Sequence, residues 1–290
     1  MRTSLALSIS LACAALAGCA IVVNPGPDGD VQVRTPFSHD GVEGNGVVAR
    51  EQRPVGAVQG LEVNGPILVD VRVGPATSLQ VEADGNLLPL IRTDVRGDKL
   101  VIEAERSYRS RNPVRVTYTT PRLTDVRNGG SGQLSIQGLS GSPLTVANRG
   151  SGAIVLSGQV ASLEAESSGS GGIEAATLQS ASATLRVTGS GRLNVGQVRG
   201  DYAIARVTGS GQLHVGGSVR ALTARATGSG YLDLANLASE QADLSSTGSG
   251  GITANVKQSV IAQSDGSGAI RVYGNPAQRS LSGNRVQLVN

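Results

Sequence analysis

The stretch ATGSGYLDL, residues 226–234, places a Gly-Ser-Gly triplet ahead of an alternating apolar segment. The triplet starts again at Gly130, Gly150, Gly169, Gly189, Gly209, Gly248 and Gly266, besides Gly228. The successive spacings are 20, 19, 20, 20, 19, 20 and 18 residues, a period that a flexible linker has no reason to keep. Four residues after each first Gly come Leu134, Ile154, Ile173, Leu193, Leu213, Leu232, Ile252 and Ile270. Two positions later come Ile136, Leu156, Ala175, Val195, Val215, Leu234, Ala254 and Val272. The residues between those two apolar columns are mostly polar, among them Glu174, His214, Asp233 and Arg271. Alternation of period two marks a strand with one buried face.

A second strand precedes each triplet. Four residues upstream lie Val126, Val146, Ala165, Leu185, Ala205, Ala224, Leu244 and Ala262. Leu139, Val160, Leu178, Val198, Val219 and Leu237 supply a third inward stretch. One unit of this size cannot bury its apolar face alone, whereas copies stacked in register bury a continuous narrow core. The expected fold is therefore all-β, a β-solenoid resembling a parallel β-helix, with about eight coils of 18–20 residues over residues 123–290. At about 4.8 Å per coil that is a rod on the order of 40 Å long. Helical repeats are excluded because no 3.6-residue stripe appears. The triplet is then a corner: glycine tolerates a left-handed turn and lets successive coils approach closely. The serines between the glycines should stack as a column of hydroxyls, each able to bond a neighbour or backbone. Thr188, Thr208, Thr227 and Thr247 should form a parallel ladder.

Composition agrees with narrow layers. Forty glycines, no Trp, one Phe and five Tyr leave Leu, Ile, Val and Ala to build the core. The formal net charge of +3 provides no dense basic face, so no nucleic-acid partner is expected.

Residues 1–18, MRTSLALSISLACAALAG, carry one positive residue and a short apolar run, the pattern of a secretory signal peptide too short to span a membrane. The ending Leu16-Ala17-Gly18-Cys19 resembles the lipobox of bacterial lipoproteins, which implies lipidation at Cys19. Ala20 after the Cys implies the outer membrane in a Gram-negative host. Multiple acyl chains give stable anchoring. With Cys13 removed and Cys19 lipidated, no thiol is left for a disulfide. Residues 19–49, rich in Pro, Gly and Asp, read as a flexible tether. Residues 50–122 alternate like strands without the corner triplet, either an irregular start to the solenoid or a β-layer capping its end.

The chain from residue 50 to 280 resembles the putative auto-transporter adhesin head GIN domain family of bacterial envelope proteins. The resemblance rests on GLEVNGPILVDVRVG, LQVEADGNLLPLIRTDVRGDKLVIEA, PRLTDVRNGGSG and the repeated triplets, in that order. It implies a β-solenoid on a secreted or lipid-anchored protein, with no catalytic residues established for the family. Without a translocator barrel, the chain is not expected to be an autotransporter itself.

No catalytic, cofactor or metal site is expected. The two histidines are His39 in the tether and His214 at an outward strand position, where a solvated role is expected. Glu174 and Asp233 share the outward column of His214 but sit three coils apart. That is about 14 Å, beyond the separation of paired glycosidase carboxylates. Arg96-Gly97-Asp98 is a hairpin turn before it is a receptor motif. Two arginine groups are candidates for an anion or glycan: Arg106, Arg109 and Arg111 around Tyr108, for which a solvated loop or cap between strands is the favoured alternative, and Arg186, Arg206 and Arg225 on adjacent coils near Glu166. The first reading is a non-enzymatic, lipid-anchored envelope protein presenting a binding or adhesion surface to a glycan or envelope protein. The alternatives are a structural component that assembles through its solenoid edges and, less favoured, a polysaccharide-active enzyme.

Overall fold

The computed structural model describes residues 41–289 and two short strands ahead of them, Val22–Pro25 and Val31–Arg34, which pair antiparallel. The signal peptide, Cys19 and His39 lie outside the described residues. The chain divides into two units, residues 1–41 and 42–290, and the second carries the solenoid. The last residues of the expected tether belong to that second unit, since Val42–Glu43 and Val48–Arg53 are already paired strands.

From Gly130 onward every coil stacks on the next in parallel register. Before the corner, Ala165, Leu185, Ala205, Ala224, Leu244 and Ala262 are successive partners. After it, the column from Leu134 to Ile270 runs unbroken. Both columns are buried throughout, as is the third stretch from Leu139 to Leu237. Register shifts follow the strand after each corner, for example between Val195 and Val198 and between His214 and Gly217, with one more between Ser239 and Gln241. That bend absorbs the variation in coil length, so the Gly-Ser-Gly corner never slips.

Close stacking explains glycine at the corners better than turn geometry does. A left-handed backbone occurs at Gly189, Gly209, Gly228 and Gly248, but not at the other four first glycines. Yet a Cβ at Gly150 would lie 1.9 Å from the carbonyl oxygen of Gly130. The serines between the glycines are exposed, and among the described residues their hydroxyls make no protein hydrogen bond. The expected hydroxyl ladder is therefore not bonded, because these side chains point outward at the apex.

The polar ladder lies two residues before the triplet and faces inward. Asn128, Asn148, Ser167, Ser246 and Ser264 are buried there, with apolar residues at the same position in the middle coils. Asn148 Nδ2 donates to the carbonyl oxygens of Gly152 and Gly172 at 2.8 and 2.9 Å. Ser167, Ser246 and Ser264 each donate to the carbonyl four residues on, at 3.1, 2.7 and 2.8 Å. These bonds give the corner carbonyls a side-chain donor, and that of Gly171 also accepts from the Arg192 amide at 3.4 Å.

Residues 60–122 supply both structures that the sequence left open. Gly60–Asn64 and Leu68–Val73 stack in parallel on Asp125–Asn128 and Gln133–Ser140, forming a first coil with Gly65 at its corner. On the opposite side, Gly60–Asn64 pairs with Lys99–Ala104, which is in a hairpin with Ile91–Arg96. Leu68–Val73 pairs with Arg115–Thr120, and antiparallel Ser78–Asp84 and Val48–Arg53 complete that layer. The switch from parallel to antiparallel pairing ends the stack and caps its open edge. Arg96-Gly97-Asp98 is the hairpin turn, with Gly97 in the left-handed region. Its arginine bridges Glu103 and Asp94, and Asp98 accepts from the Gln59 amide at 3.2 Å.

Candidate functional site

The arginine column begins from strand register. Glu166 is the partner of Arg186, Arg186 of Arg206, and Arg206 of Arg225. Alternation turns Leu185, Ala205 and Ala224 into the core and the arginines outward; Arg186 and Arg225 are exposed and Arg206 half-buried. One column away stand Thr188, Thr208 and Thr227, in register and exposed. Thr184, Ile204 and Thr223 line the other flank. No carboxylate lies within 4.0 Å of any of the three guanidinium groups among the described residues. Adjacent like charges at coil spacing repel by up to about 1 kcal/mol in water.

The other arginine group occupies the cap. Tyr108–Arg109 pairs in parallel with Val42–Glu43, closing the edge where the chain enters the unit. Arg109 and Arg111 line a cleft of about 480 Å³ with Glu43, Asp84, Ser110 and the backbone of residues 44–46. Arg106 is exposed and outside that lining. The cleft is of mixed charge, so it suits a polyanion less well than the ladder does.

Asp84 at its floor was not legible as important. Its carboxylate is buried and accepts from Asn112 Nδ2 at 2.7 Å and Ser110 Oγ at 2.5 Å. These two bonds, with the Gly46 amide, hold its pKa below the ordinary value of 3.8 against the opposing effect of burial. A Cβ on Gly44 would sit 1.9 Å from Asp84 Oδ2, so the chain passes close over the carboxylate. Tyr108 is held by its hydroxyl donating to the Pro66 carbonyl at 3.0 Å, and burial pushes its pKa up to about 12.

His214 is half-buried rather than freely solvated, with Nδ1 3.3 Å from Asp233 Oδ2 on the next coil. Glu174 lies in the same column beyond Asn194, in register with the intervening coils. No trio of His, Cys, Asp or Glu that could hold a metal ion is present among the described residues.

Comparison with known proteins agrees with this architecture. Residues 58–200 and 174–276 match the model of the family described as "Putative auto-transporter adhesin, head GIN domain", and the chain belongs to that family. No curated protein matches it. Among solved structures, a putative adhesin from Parabacteroides merdae superimposes with a TM-score of 0.67 at 18% identity, over 87% of this chain and 100% of its own. A putative adhesin from Parabacteroides distasonis gives 0.65 at 21% identity, over 86% and 100%. A putative lipid binding protein from the same species gives 0.63 at 20% identity, over 86% and 99%. At such identities the likeness is one of fold.

Proposed function

We propose that this chain is an envelope protein, lipid-anchored through Cys19 to the outer membrane, that works by binding rather than turnover. The face carrying Arg186, Arg206 and Arg225 holds the anionic groups of a glycan chain. The observation that carries this reading is the in-register arginine column, with no carboxylate within 4.0 Å of its guanidinium groups among the described residues although Glu166 is in register with Arg186. The threonine columns beside it add hydroxyl donors at the same spacing, suited to the sulfates, phosphates or carboxylates of a repeating polymer. Membership of an adhesin-like family supports an envelope location and a binding role.

Titration with dextran sulfate against neutral dextran tests the face. Arg206→Glu should weaken dextran sulfate binding by about tenfold, the equivalent of about 1.4 kcal/mol. Equal affinity in the two proteins would remove the ladder from the binding surface. Cys19→Ala should move the protein from the membrane fraction to the soluble one.

A second reading is favoured by the C-terminal end. Gln278–Ser282 and Val286–Val289 each pair with one preceding strand only, and Leu281 is exposed. That end is an open sheet edge able to receive a second copy. Sedimentation of the mature chain at micromolar concentration decides it: a stable monomer removes the assembly reading.

A further inference from the structure

Across the corner from the arginine ladder, the first residue after each triplet forms a column whose occupants change abruptly. It runs Gln133, Ala153, Gly172, Arg192, Gln212, Tyr231 and Gly251, in register. Three large side chains therefore stand together on consecutive coils, with Gly172 on one side and Gly251 on the other. The tyrosine ring lies over Gly251: a Cβ there would be 3.0 Å from Tyr231 Cε2. Its hydroxyl bonds Thr253 Oγ1. The ring is thus pinned flat against the rod, and the residue remains 37% exposed.

The neighbouring column is made of linked polar side chains. Asn194 Nδ2 donates to Glu174 Oε1 at 2.6 Å, and His214 Nδ1 meets Asp233 Oδ2 at 3.3 Å. Each carboxylate also accepts a backbone amide two residues on, from Ala176 and Ala235, at 3.2 and 3.3 Å. These bonds fix the side-chain planes while leaving the Asn194 carbonyl, the second ring nitrogen of His214 and carboxylate lone pairs free. Arg192 Nε and Gln212 Oε1 are 3.4 Å apart, leaving the remaining guanidinium and amide donors pointing elsewhere. Together the two columns line a cleft of about 290 Å³.

We propose that this cleft is a binding site for a neutral oligosaccharide, distinct from the arginine face. Sugar hydroxyls both donate and accept, which suits alternating fixed donors and acceptors. A sugar ring has an apolar face for Tyr231, and its width is close to the coil rise of about 4.8 Å. Charge argues against an anion: two carboxylates face one guanidinium. Separation argues against cleavage, because Glu174 and Asp233 are three coils, or about 14 Å, apart.

Calorimetric titration of the mature chain with neutral hexasaccharides of glucose, mannose and N-acetylglucosamine tests the site. One series should bind saturably. Tyr231→Ala and Asn194→Ala should each weaken it at least about tenfold with the thermal midpoint retained, and Tyr231→Phe should keep most of the affinity. Arg206→Glu should leave it unchanged, which separates this site from the arginine face. Absence of saturable binding by all three series, or binding indifferent to both alanine variants, overturns the proposal.

Discussion

The cap and the repeats are built from the same strands but held together in different ways. Among the described residues, eight of ten ion pairs fall before residue 128, including Arg50–Glu82 at 2.5 Å, Arg92–Glu105 at 3.1 Å and Lys99–Asp125 at 2.7 Å. The repeats contribute His214–Asp233 and a loose Arg220–Asp201 contact at 3.8 Å. A repeated coil finds its partner by having the same shape as its neighbour, so backbone register and buried columns suffice. The cap meets no copy of itself and must be specified contact by contact, as at Asp84. The arginines of the ladder therefore make no ion pair among the described residues, whereas many of those in the cap are engaged.

The comparison breaks most severely at a corner. Gly171→Ala would set a Cβ 2.0 Å from the Gly152 carbonyl oxygen, with backbone rather than a movable side chain in the way. A loss of about 3 kcal/mol or more is expected in denaturant unfolding, at the upper end of overpacking costs. Gly46 in the cap has a left-handed backbone but nothing within 4 Å of a new Cβ. Gly46→Ala should cost only the backbone penalty of about 1 kcal/mol. Equal losses would mean that the corner yields to a methyl group and that close stacking does not select glycine there.

The cap should be the acid-sensitive end. Because the folded state lowers the Asp84 pKa below 3.8, its contribution is complete above that value and is lost as pH falls through the folded pKa. Asp84→Asn should destabilise the cap near neutral pH and flatten the decline in stability below about pH 4. Hydrogen exchange resolved between residues 42–122 and the repeats reads both effects, and an unchanged acid limb would refute the assignment.

Stacking is also why so much was legible. The eight corners, their flanking columns and the in-register arginines follow from a period visible in one sequence. The inward Asn and Ser ladder was equally periodic, two residues before the triplet, but its middle members Val187, Val207 and Ala226 disguised it as ordinary core. Tyr231 and its neighbours were missed because Arg192 and Gln212 read as ordinary polar surface, and only Tyr231 departs from small or polar residues at that position. The cap resisted reading for a different reason. Asp84 sits in ADGN, which turn chemistry explains locally, while Ser110 and Asn112, which make it a hub, lie far along the chain. Likewise, nothing local pairs Gly60–Asn64 with Asp125–Asn128.

A smaller effect sharpens the cap side of the comparison. Tyr118 is fully buried, and its hydroxyl, near Thr120 and Val58, meets neither in hydrogen-bond geometry; the Thr120 hydroxyl donates to Val58 O instead. Tyr118→Phe removes that unsatisfied group and should stabilise the cap by about 1 kcal/mol. A loss of stability would reveal a partner for the hydroxyl.

The central claim is that the arginine ladder is not there for the fold, and the thermal midpoint of the Arg186→Ala, Arg206→Ala, Arg225→Ala triple variant tests it most directly. With no partners to lose and mutual repulsion relieved, the midpoint should stay within about 2 °C of the parent or rise slightly. A fall of about 6 °C or more, the size expected from losing a core contact worth some 2 kcal/mol, would make the ladder a structural element and contradict the account.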